Sequence, residues 1–423
     1  MDREALTVVP EAAAAQGIRR TGRANAFRAL RSQPFRWYFA GQIASASGTF
    51  VQATAIGWLV LQLTGSPASL GVVLAAGGIP PLLFGPWGGV VADRVDLRRL
   101  LICTQIVFGL LAGLLWLLAA TGRADVPLLI AVTVAGGLVQ IVDSPARQAF
   151  VAQLVPSGDL ASAASVNGIV MNSARVVGPA LAGVLIASVG TTPCFAVNAI
   201  SYVAVVVALL AIRPLTVRTA GTGKPGGVAS ALRYARTRQQ LWLPLTMMAL
   251  VGLLAFNFPV ILPVFAENTF HGTGGTYGLL STMLSIGSVA GSLAVGLLPH
   301  PRRTYLVAAA TAFAVGLAVT AVAPNLIAAC AALALTGFAA FSFVTLASTA
   351  LQLHSDPSYR GRIMALWVFV FMGTTPIGSI VTGWITDAAG PRAALAVGAV
   401  ACLAAAIIAS RVHTPPHPDD IEV

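Results

Sequence analysis

A chain of 423 residues that is 57% hydrophobic and 9% charged, with a mean hydropathy of +0.84, cannot fold as a water-soluble globule, whose composition is nearer a quarter charged. The net charge of +11 does not point to nucleic acid, because the basic residues lie in loops between apolar stretches and report membrane topology. Cys103, Cys194, Cys330 and Cys402 are far apart, in or near apolar stretches. That spacing argues against a disulfide framework, and with no Cys/His cluster it argues against a metal site.

The chain opens on a polar, Arg-rich arm, residues 1–35, with no secretory signal pattern. A spanning helix needs about 20 mainly apolar residues. Six such stretches follow, near 36–63, 68–92, 99–120, 126–146, 159–189 and 191–212. A polar segment at 213–240 begins as a Gly/Thr linker and ends as a basic amphipathic helix. Six more stretches lie near 241–266, 274–298, 304–322, 326–353, 361–388 and 392–411, before a tail at 412–423. The expected architecture is therefore an all-α membrane protein of twelve transmembrane helices in two six-helix pseudo-repeats, 36–212 and 241–411. The GxxxG spacings Gly85/Gly89, Gly109/Gly113 and Gly287/Gly291 are expected to let helix backbones approach closely.

The 25 basic residues set the orientation. With the N-terminus inside, the arm, the inner loops and the tail hold all of them except Arg123 and Arg392, outside, and Arg175, inside a span. Both termini are expected to face the cytoplasm. Internal duplication has a trace in the glycines. Gly178, Gly183 and Gly190 recur as Gly378, Gly383 and Gly390 at an offset of 200, and Gly71 and Gly89 recur as Gly278 and Gly296 at 207.

The loop after the second span reads GPWGGVVADRVDLRR and gathers Gly89, Asp93, Arg94, Arg98 and Arg99. It resembles the signature loop of the major facilitator superfamily, with Asp96 where Gly is common and Leu97 where a basic residue is common. Gly178, Pro179 and Gly183, in GPALAG of the fifth span, resemble that superfamily's antiporter motif. The strings VDSPARQAFVAQLVP, NSARVVGPALAG and YRGRIMALW are similar to the branch containing enterobactin-type siderophore exporters and macrolide efflux proteins. The likeness covers essentially the whole chain, although the loop HPRRT between the eighth and ninth spans lacks an acid.

Positive charge alone explains why the loop stays inside, but acids contribute little to orientation. The resemblance implies that Asp93 contacts the start of the eleventh span when the cytoplasmic side closes, where Arg360 and Arg362 offer charge-assisted bonds. Asp143 is expected to pair with Arg98 or Arg94. Such a latch biases a two-state equilibrium by about 1–3 kcal/mol.

Arg175, midway along the fifth span, is costly in a membrane and a functional candidate by default. It suits an anionic substrate group, a carboxylate partner, or a structural role on carbonyls or Asn172. Gln42, Gln140, Asn172 and Asn257 are candidates to line a central cavity, each equally an ordinary interhelical hydrogen bonder. Phe256, Phe341, Phe343, Trp367 and Phe371 suit an apolar wall. Proton antiport is implied by the resemblance, yet no carboxylate lies clearly at mid-membrane. Asp143 is the first candidate carrier, with Glu267 and Asp387 behind it.

GTGKP lacks the Ser/Thr and the leading Gly of a phosphate-binding loop, and no HExxH or GxSxG is present. The reading is therefore a cofactor-free, metal-free transporter and not an enzyme. It is expected to export small amphipathic molecules of drug, antibiotic or siderophore type by alternating access. A uniporter or importer of the same fold is the alternative, and an intramembrane enzyme the more remote one. It is expected to act as a monomer in a plasma membrane, with the bilayer and protons as its other partners and no nucleic acid.

Overall fold

The apolar stretches form long helices in the computed structural model of the chain, which describes residues 27–212, 228–298 and 302–411. Most of the N-terminal arm, the linker up to 227, the loop at 299–301 and the tail from 412 lie outside the described residues. In lipid every backbone N–H and C=O needs an internal partner, and the helix is the unit that supplies one within a single segment. In chain order the helices are α1 (Gln33–Thr64), α2 (Pro67–Ala92), α3 (Leu97–Ala120), α4 (Val126–Leu154), α5 (Leu160–Val189), α6 (Thr192–Ala211) and the short α7 (Val228–Thr237). Then come α8 (Gln239–Leu254), α9 (Phe258–Val264), α10 (Gly274–Gly296), α11 (Arg303–Ala321), α12 (Leu326–His354) and α13 (Arg360–Arg411).

Eleven stretches are long and apolar enough to cross a membrane, one fewer than the sequence predicts. The difference lies wholly in α13. A continuous helix of 52 residues would run about 78 Å, more than twice the hydrocarbon thickness of about 30 Å. Gly390 interrupts it at φ 83°, ψ 168°, a conformation open essentially to glycine alone. The break leaves 360–389 and 391–411, each long enough to span. The seventh stretch is also broken: α8 and α9 meet at Asn257, and a π turn, Phe265–Thr269, follows α9.

The helices pack in two groups. α1 through α6 contact one another, chiefly as α2 on α4, α1 on α6 and α5, and α3 on α6. α8 through α13 do likewise, chiefly as α10 on α12, α11 on α12 and α13, and α8 on α13. The groups meet mainly through α2 against α13 and α5 against α10. The outer faces are apolar, with Leu110, Val184, Ile200 and Leu293 each more than 60% exposed, as lipid-facing surface requires. Of the GxxxG pairs, Gly287 and Gly291 press on the carbonyls of Ala334 and Phe338 in α12, whereas Gly85, Gly89 and Gly113 meet nothing and Gly109 makes only ordinary contact.

Candidate transport site and gates

The charged loop between α2 and α3 is built by its caps. Asp93 caps the end of α2, its N–H bonded to the Gly89 carbonyl. Asp96 begins α3 and accepts from the Arg99 N–H at 2.8 Å, which accounts for an acid where the superfamily pattern has glycine. Arg98 donates from Nε to the Leu209 carbonyl at 2.8 Å and from Nη2 to that of Leu210 at 3.1 Å. It therefore covers the otherwise unpaired carbonyls at the end of α6.

One expectation for this loop needs correction. Asp143 is not the partner of Arg98 or Arg94; its ion pair is with Arg147, one turn along α4. In this structure Asp93 does not reach the start of α13, a contact expected only when the cytoplasmic side closes. The ion pairs among the described residues are Arg28–Asp159, Asp143–Arg147 and Arg238–Asp356. Asp93, Arg94, Arg99 and Arg360 are exposed, and Arg362 lies 5.1 Å over the Tyr359 ring. The physical reason is the location of the inter-group contacts, which lie toward the opposite end of the bundle. There Gly71 of α2 abuts the Ser379 carbonyl of α13, and a Cβ on Gly383 would come within 2.8 Å of the Pro67 carbonyl. Similarly, a Cβ on Gly183 of α5 would lie 2.9 Å from the Gly278 Cα of α10. The closest glycine contacts between the groups therefore lie at the end away from Asp93.

Asp143 is 1% exposed and saturated. Its Oδ1 accepts from Thr104 Oγ1 at 2.7 Å and Gln105 Nε2 at 2.8 Å, both on α3. Its Oδ2 accepts from Arg147 Nη2 at 2.8 Å and Nε at 3.3 Å. Arg147 Nη1 donates onward to Gln42 Oε1 on α1. The pair thus ties α1, α3 and α4 together. Both bonds to Oδ2 come from the Arg147 fork, which offers donors alone. Glu267 and Asp387, the reserve carriers, are exposed.

Sequence reasoning missed Arg147, Thr104 and Gln105. The apolar stretch ends at 146, which puts Arg147 in an inner loop, whereas α4 continues to Leu154. The signal was present in the four-residue spacing of Asp143 and Arg147, which places both on one helix face.

The remaining candidates separate. Arg175 lies on α5 with its Nε buried and without a hydrogen-bond partner among the described residues, so it has no carboxylate, carbonyl or Asn172 bond. It sits 4.5 Å from the Phe341 ring centroid on α12 and 5.9 Å from that of Phe50 on α1. Gly178 packs directly on Phe50, with Pro179 also buried, which fixes α5 against α1. Asn257 is an internal joint: its Nδ2 donates to the Leu253 carbonyl at 2.8 Å, and Ser379 Oγ lies 3.4 Å from its Oδ1. Gln140 is exposed on α4 and Asn172 half-buried on α5. Of the aromatic candidates, Phe256 makes edge contacts with Phe341 and Phe371, and with Phe313, whereas Phe343 and Trp367 are buried.

Comparison with known proteins agrees with the fold. The staphyloferrin A transporter of Staphylococcus aureus is 26% identical over 61% of this chain and 66% of its own. Macrolide efflux protein A of Streptococcus pyogenes is 23% identical over 84% of this chain and 90% of its own. In three dimensions, a bacterial homologue of the human lysosomal transporter Spinster, solved in an inward-facing and occupied conformation, superposes with a TM-score of 0.72 at 14% identity, covering 90% of this chain and 98% of that one. The sequence profile described as transmembrane secretion effector matches residues 24–422. The chain is therefore a multi-pass membrane transporter, not an enzyme, and belongs to the transmembrane secretion effector family of the major facilitator superfamily.

Proposed function

We propose that this transporter exports small amphipathic molecules of drug, antibiotic or siderophore type from the cytoplasm by alternating access, in exchange for protons. The observation that carries the reading is the placement of the inter-group contacts, with glycine-lined contacts at one end and unpaired loop charges at the other. With the termini cytoplasmic, as the distribution of basic residues implies, the present state is closed outside and open inside. Helices 36–212 and 241–411 are the two rocking halves, joined by 213–240. In the opposite state Asp93 meets Arg360 or Arg362 at the start of α13 and closes the inner end.

Asp143 and Arg147 are the coupling centre. A proton arriving at Asp143 releases the Arg147 fork, and with it the tie between α1, α3 and α4 through Gln42. Export of a macrolide by a relative of similar length supports the direction. Flux of a macrolide or fluorescent dye into everted vesicles under an imposed pH gradient tests the proposal. Uptake that vanishes when the gradient is collapsed is the expected result. Uptake indifferent to the gradient would discard proton coupling, and no uptake of any such compound would discard the substrate class.

A further inference from the structure

The most unusual cation in the molecule is Arg175. A guanidinium inside a spanning helix is expensive, and such groups normally recover the cost through a carboxylate or backbone carbonyls. Arg175 has neither among the described residues: its Nε is sealed and unpartnered, and its contacts are two aromatic faces, Phe341 at 4.5 Å and Phe50 at 5.9 Å. Cation–π attraction orients the guanidinium but supplies no hydrogen-bond acceptor.

Its position is equally specific. α5 and α12 make no extensive backbone contact, so the Arg175–Phe341 contact joins the two helix groups chiefly through side chains. Eight residues along α5, about 12 Å at 1.5 Å per residue, Gly183 meets Gly278 at the end away from Asp93. Arg175 therefore lies on the far side of that contact, toward the end carrying Asp93. Around it stand Phe50 and Phe341, with Phe256 and Phe371 continuing the aromatic surface.

One free guanidinium set among aromatic faces is complementary to one chemistry. We infer that Arg175 is the anion-recognition residue of the transport path, and that the preferred substrate carries a carboxylate on an aromatic or otherwise apolar body. A carboxylate accepts two parallel bonds from the fork, which a lysine ammonium cannot reproduce, while the phenylalanines take the apolar part. The inference rests on the export reading only for the statement that a substrate enters here; the residue assignment is independent of direction and of coupling.

Equilibrium binding to the purified protein in lipid nanodiscs tests it, with 1-pyrenebutyrate and 1-pyrenebutanol as probes matched in size and differing in charge. At pH 8 the wild-type protein should bind the butyrate at least about tenfold more tightly than the alcohol. Arg175→Met should abolish that preference and leave the alcohol within about twofold. Arg175→Lys, which keeps the charge if Met impairs folding, should retain part of the preference. Equal affinity of the wild type for both probes, binding of neither, or a preference that survives in the Met variant would overturn the assignment. Because binding needs neither gradient nor turnover, failure of vesicle flux leaves this result standing, and failure here leaves proton-driven export standing.

Discussion

Gly183 of α5 and Gly278 of α10 meet backbone to backbone, a Cβ on the former falling 2.9 Å from the Cα of the latter. The same contact recurs across the other seam. Gly383 and Gly71 are their counterparts at offsets of 200 and 207, and a Cβ on either would lie 3.3 Å from the other's Cα. The duplication extends to the backbone: Gly190 sits at φ 87°, ψ −176° and Gly390 at φ 83°, ψ 168°. The two seams are repeats of one solution, in which absent side chains let helices from different groups touch.

Gly183→Val should therefore pry the α5–α10 seam apart. Overpacking of this kind costs about 1–3 kcal/mol, enough to shift a two-state population by roughly fivefold to 150-fold. Spin-label distances across that seam should lengthen while thermal stability changes little. Unchanged distances would show that the seam does not hold the state.

Removing one member of the Asp143–Arg147 pair should destabilise strongly. Asp143→Ala leaves a buried guanidinium uncompensated, at a cost on the order of 3 kcal/mol. The double variant Asp143→Leu, Arg147→Met should recover most of that stability yet lose proton-driven flux. Thermal unfolding and vesicle transport, read side by side, separate the structural role from the coupling one.

Asp93 is exposed and without an ion pair among the described residues. Asp93→Asn should leave insertion and melting temperature unchanged and still slow transport about tenfold, since the missing bond belongs to the other state. A normal transport rate in this variant would remove the latch.

The short helix α7 is tied down by Tyr234, whose hydroxyl donates to Asp356 Oδ2 at 2.7 Å, with Arg238 on the same oxygen at 3.1 Å and the Tyr359 ring stacked 4.2 Å away. Exposed pairs of this kind contribute about 0.2–1 kcal/mol. Asp356→Asn should raise hydrogen exchange in 228–237 without altering the spanning helices. Partial desolvation raises the Tyr234 phenol above its ordinary value. A group raised in the folded state keeps its stabilisation below the unfolded value and loses it as pH climbs through the folded one. The protection factor of α7, exchange corrected for its intrinsic rise with pH, should thus stay flat between pH 7 and pH 9 and fall only at more alkaline pH.

Membrane class, the spanning stretches and the basic arm were legible from residue order, because a helix in lipid must be apolar over a fixed length and its ends must carry the charges. The family likeness was legible too, in the Asp93 loop and the GPALAG string. Boundaries failed where apolarity stopped before the helix did: α4 carries Arg147 beyond its apolar part, so the partner of Asp143 was assigned to a loop. Order along the chain could not say at which end the two groups meet glycine to glycine, because Asp93 and Arg360 fit either arrangement. Nor could it reveal that Arg175 faces Phe341, 166 positions away, and nothing acidic. Those facts depend on how helices from the two groups lie against one another, and in lipid that is decided by close packing rather than by hydrophobicity, which every helix here shares.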